Sequence, residues 1–65
     1  MKILLGTIRI AKGYTLMDLA RKTGLSKSTN NNIENEKTSP TLDQLEVLAA
    51  AMEIKICDLF ESDYK

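Results

Sequence analysis

A compact all-α domain of five helices is the fold this 65-residue sequence predicts. Three observations carry that expectation. Apolar residues recur at spacings of three and four, most regularly in "LDQLEVLAAAME". Thr15 stands three residues before Asp18 and Thr41 three before Gln44, the spacing of helix capping boxes. Gly13 and Gly24 follow the first two periodic stretches, where helices commonly close in a left-handed residue.

The first helix is expected over about residues 3–12, with Leu4, Leu5, Ile8 and Ala11 facing inward. Gly6 and the isoleucines weaken its propensity, so packing must hold it. The second opens at Thr15, carries Leu16, Leu19 and Ala20 as its apolar stripe, and ends at Gly24. Ser26 is the next N-cap, so the third helix runs from Lys27 to about Asn35. The fourth starts at Thr41 and buries Leu42, Leu45, Leu48, Ala49 and Met52. A short fifth segment, "KICDLF", offers Ile56, Leu59 and Phe60 to the same core. No repeat, low-complexity tract or linker interrupts the chain, and residues 1–65 read as a single domain.

Composition narrows the chemistry. At 43% hydrophobic residues the chain is not built like a disordered tail. There is no histidine and only one cysteine, Cys57, so no zinc-ligand spacing and no internal disulfide exist; no metal and no cofactor are expected. Cys57 reads as an interface or core residue, with a redox sensor as the other reading. The opening apolar run is broken by Gly6 and stopped by Arg9, too short for a signal peptide or a membrane span, and a cytoplasmic setting is expected. Without a glycine-rich phosphate loop or room for a substrate pocket, an enzyme is not expected.

Net charge is zero, yet the charges are not evenly spread. Residues 1–40 hold seven Lys/Arg against three acids, whereas residues 41–65 hold six acids against two lysines. Such asymmetry hints at a polyanionic partner, although solvated charges placed by chance would look the same.

The two helices joined by "KTGLS", with small Ala20 in the first and Gly24 at the turn, have helix-turn-helix spacing over about residues 15–35. The pieces "DLARKTGLSKST", "IENEK", "SPTLDQLEVLA" and "ICDLF", with "IRIAKG" as the first helix, resemble the phage repressor and Cro-like family, the xenobiotic-response-element type. That resemblance implies a five-helix, lambda-repressor-like domain, usually dimeric, which binds operator DNA and regulates transcription.

Helical geometry says which side chains could do this. At about 100° per residue, Lys27, Ser28, Asn31, Asn32 and Asn35 fall within one arc of about 140°, with Ile33 opposite them as the core anchor. Amides and an ammonium on that arc suit base edges in the major groove. By resemblance the base-reading positions are Ser26, Lys27, Ser28 and Asn32, with Asn31 beside them. Phosphate contacts would fall to Lys22, Asn35, Lys37, Thr38 and Ser39. Arg9 and Glu34 match positions that form a structural ion pair between the first and third helices, and Ile56, Cys57 and Asp58 match a homodimer surface. Tyr14 and Met17 read as packing residues, with contact to DNA or a partner as the alternative.

Three residues depart from the family pattern. Asn30 stands where an inward-facing Ile or Val is usual, and we expect it to be partly buried and hydrogen-bonded. Leu16 replaces a phosphate-touching glutamine. Glu36 replaces a glycine, and Asn35 is expected to take the left-handed conformation in its place. The reading that follows is a sequence-specific DNA-binding regulator, a homodimeric repressor on double-stranded DNA. The competing reading is an antitoxin or other protein-interaction module with weakened DNA binding, whose partner is a toxin or another regulator.

Overall fold

The computed structural model describes residues 1–64, so Lys65, counted in the charge balance, lies outside the described residues. Four α-helices follow a short strand: β1 (Lys2–Ile3), α1 (Leu5–Ala11), α2 (Leu16–Thr23), α3 (Lys27–Glu34) and α4 (Leu42–Met52). A 3-10 turn, Ile56–Leu59, leads into β2 (Phe60–Glu61). No helix among the described residues is long and apolar enough to cross a membrane.

The expected fifth α-helix is therefore a single 3-10 turn, and the domain is not purely helical. The cause lies at its end, where Phe60 is fully extended (φ −149°, ψ 156°) and pairs antiparallel with Ile3, as Glu61 does with Lys2. The Leu4 N–H extends this pairing by donating to the Leu59 carbonyl at 2.8 Å. The same pairing shortens α1, which begins at Leu5 rather than Ile3.

Side-chain caps open α2, α3 and α4. The Asp18 N–H donates to Thr15 Oγ1 at 3.0 Å and the Thr15 N–H to Asp18 Oδ2 at 2.9 Å, a complete capping box. Thr41 and Gln44 repeat it at 3.1 and 3.0 Å, and Ser26 Oγ accepts from the Thr29 N–H at 3.0 Å. At the other ends the chain turns through left-handed residues. Gly13 (φ 78°) and Gly24 (φ 75°) do so without a Cβ penalty.

Glu36 and Glu53, both at φ 57°, do the same against that penalty. At Glu36 the closure is a Schellman motif: the Lys37 N–H donates to Asn32 O at 2.9 Å and the Glu36 N–H to Ile33 O at 3.1 Å. Asn35, expected to be the left-handed residue, remains near helical (φ −89°, ψ 6°). Counting from the last helical residue, Glu34, the motif falls one position later than expected.

The core is Leu5, Leu19, Ile33, Leu45, Leu48, Ala49, Met52 and Leu59. Every α-helix contributes, and Ile33 is the sole fully buried apolar residue of α3. Two expected core positions are exposed. Leu42, at 77% exposure, occupies the first turn of α4, beyond the reach of the core, and Ala11 ends α1 in solvent.

Candidate nucleic-acid interface

Helix α3 is an eight-residue element set against α2 and α1. Its sequence, KSTNNNIE, has poor intrinsic helicity, since Ser, Thr and Asn all compete for backbone hydrogen bonds. What holds it is the Ser26 cap in front, Ile33 beneath, and an ion pair to α1 behind.

Two donors of one guanidinium build that pair, and a third reaches the backbone beside it. Arg9 Nε donates to Glu34 Oε2 at 2.6 Å, Nη2 to Glu34 Oε1 at 3.1 Å, and Nη1 to the Tyr14 carbonyl at 2.9 Å. Both side chains are largely withdrawn from solvent, so the attraction is little screened. The hydrogen bond to Glu34 holds the Arg9 pKa above its ordinary value.

Gly6 makes room for this contact. A Cβ there would lie 3.1 Å from Glu34 Oε1. In the sequence Gly6 weakens the first helix and breaks the opening apolar run; its steric role arises from the approach of Glu34 to α1.

Asn30 is buried completely, more than expected, and is the one buried polar residue among the described residues. Its Nδ2 donates to the Leu25 carbonyl at 3.2 Å, while Oδ1 has no hydrogen-bond partner among the described residues. Half of the amide is satisfied.

Opposite Ile33, the outward face carries Lys27, Ser28 and Asn31 exposed and Asn32 half-buried. Ser26 adjoins them, but its hydroxyl is engaged in the cap and also donates to Thr29 Oγ1 at 2.9 Å. Asn35 Nδ2 reaches back to the Asn31 carbonyl at 3.0 Å and to Asn31 Oδ1 at 3.1 Å. Lys37, Thr38 and Ser39 form the exposed loop after α3, next to the Glu36 carboxylate.

Lys22 is set differently: its ammonium lies 5.1 Å from the centroid of the Tyr14 ring, a cation–π contact within the α1–α2 region. Tyr14 itself packs against the core, whereas Met17 is 51% exposed. Ile56 packs on the core, and Cys57 and Asp58 are exposed beside it. The Asp58 carboxylate also accepts from the Lys55 N–H at 3.1 Å.

Two helices joined at a left-handed glycine, the second capped, anchored from behind and polar in front, define a helix-turn-helix domain. The helix-turn-helix family model matches residues 5–59, and the chain belongs to that family, in its xenobiotic-response-element, lambda-repressor-like branch. Among its relatives is the HTH-type transcriptional regulator SinR of Bacillus subtilis (strain 168), 34% identical over 58 residues, which span 88% of this chain and 52% of the relative. SinR of Bacillus licheniformis is 39% identical over 49 residues, spanning 74% of this chain and 44% of the relative. The chain thus spans about half the length of these curated relatives. The solved N-terminal DNA-binding domain of SinR from Bacillus subtilis superposes with a TM-score of 0.80 at 29% identity, covering 94% of this chain and 90% of that one.

Proposed function

We propose that the chain is a sequence-specific DNA-binding transcriptional regulator, acting in the cytoplasm as a homodimeric repressor that reads operator half-sites with α3 in the major groove. The observation that carries this reading is the outward face of α3: Lys27, Ser28, Asn31 and Asn32 stand opposite buried Ile33 on a capped and clamped helix. Lysine donates to guanine O6 and N7, and asparagine amides pair with base edges, so these side chains specify. Lys37, Thr38 and Ser39 contact the backbone and set register, and Lys22 joins them when a phosphate competes with the Tyr14 ring; Asn35, expected among them, has its donors engaged by Asn31.

A reading helix this short meets only a few base pairs. Two copies, joined through Ile56, Cys57 and Asp58, place two such helices on half-sites roughly 34 Å apart. Titration of a labelled duplex at increasing salt tests the DNA contact: affinity falls steeply as salt rises, and absence of binding at low salt contradicts the reading.

The second reading, a protein-interaction module such as an antitoxin, is favoured by one surface feature. Ile10 (68% exposed), Met17 and Leu16 line an apolar groove of about 430 Å3 beside Tyr14 and Lys27. Co-purification with the product of an adjacent toxin gene, together with no binding to the chain's own promoter, would select it.

A further inference from the structure

We infer that Asn35 is a specificity-positioning residue: it fixes the side-chain amide of Asn31 so that α3 presents a hydrogen-bond donor, and not an acceptor, at that point of the DNA half-site. This deepens the proposed function and rests on it.

The polarity of the amide follows from a backbone group. Asn35 Nδ2 lies 3.0 Å from the Asn31 main-chain carbonyl and 3.1 Å from the Asn31 side chain. A main-chain carbonyl only accepts, so the Asn35 group against it must be the NH2 and cannot be the oxygen. The Asn31 side-chain atom facing the same NH2 must then be Oδ1. Asn31 Nδ2 is left as the group without a hydrogen-bond partner among the described residues, on an exposed side chain. The Asn31 carbonyl also receives the Asn35 N–H at 3.0 Å, so Asn35 is tied to the last turn of α3 through its backbone as well as its side chain.

A freely rotating asparagine pairs with adenine by accepting from N6 and donating to N7. The held amide has its oxygen turned toward Asn35 and engaged there. What it offers outward, two N–H groups, matches the two acceptors of guanine, O6 and N7, better than the mixed edge of adenine. Asn31 thus favours guanine over adenine, and Asn35 is the reason.

Selection of bound sites from a random DNA pool, run in parallel with the unaltered chain, Asn31→Ala and Asn35→Ala, tests this. Both residues are exposed, so thermal unfolding should show both variants folded. Asn31→Ala locates its position by erasing preference in one column of the half-site. In that column the unaltered chain should favour guanine, and Asn35→Ala should shift the ratio toward adenine by roughly tenfold while leaving the other columns unchanged. A uniform loss of affinity in Asn35→Ala, as expected of a phosphate contact alone, or an unshifted column would overturn the inference and leave DNA reading intact. Absence of any consensus with the unaltered chain would overturn the proposed function, and this inference with it.

Discussion

The Arg9 guanidinium grips the Glu34 carboxylate through two hydrogen bonds, at 2.6 and 3.1 Å, and so ties α1 to the helix that carries the candidate reading face. Removing one partner leaves the other charge in a mostly dry site. Arg9→Met should therefore lower stability by about 2 kcal/mol and weaken DNA binding with it. Urea unfolding and duplex titration check the two effects, and a variant unchanged in both would reject the linking role.

Asn30 is fully buried with its Oδ1 unpartnered, a debt that an apolar side chain does not carry. Asn30→Leu should raise stability by about 1–2 kcal/mol in denaturant unfolding. An unchanged or lower stability would mean that the single bond to the Leu25 carbonyl matters more than the stranded oxygen.

Glu36 holds a left-handed backbone and a negative charge in the loop where phosphate contacts are proposed. Glu36→Gly removes both. Stability should rise by about 1 kcal/mol, and DNA affinity should rise as well, more at low salt than at high. A gain in stability with no gain in affinity would place Glu36 away from the DNA backbone.

The Asp18 carboxyl is held below its ordinary value of 3.8, first by the Thr15 N–H and then by the Thr15 hydroxyl. A carboxyl whose folded pKa is depressed adds stability that is fully present above its unfolded value and is lost as pH falls through the folded one. Part of the acid sensitivity below about pH 4 should therefore disappear in Asp18→Asn. Thermal unfolding from pH 6 down to pH 2 reads this, and superimposable pH profiles for the two proteins would count against the capping box as its source.

Local chemistry made much of the fold legible. Thr15 with Asp18, Thr41 with Gln44, Ser26 and Gly24 act within a few residues of themselves, and each starts or ends a helix where its side chain or φ requires. Features that depend on distant segments were not legible. Two residues per strand carry no periodicity, and Lys2–Ile3 pairs with Phe60–Glu61 only because folding brings the two ends together. Leu42 fits the apolar spacing of α4, yet its place in the first turn leaves it in solvent. The outward face of α3 followed from helical angles alone. The socket that Gly6 makes for Glu34, and the turning of Asn31 by Asn35, depend on side-chain positions that spacing does not encode.

Asn32 is the most direct single-residue probe of reading as distinct from mere attraction. Asn32→Ala should cost about 1–3 kcal/mol on a cognate site and almost nothing on random duplex. An equal loss on both would show that Asn32 does not read sequence.

Whether two copies of α3 read a specific operator is tested by selecting bound sites from a random DNA pool with the unaltered chain. A two-fold symmetric consensus is expected, its half-sites one helical turn apart, roughly 34 Å. Recovery of sequences with no consensus would contradict it and move the function to the apolar groove at Ile10, Leu16 and Met17.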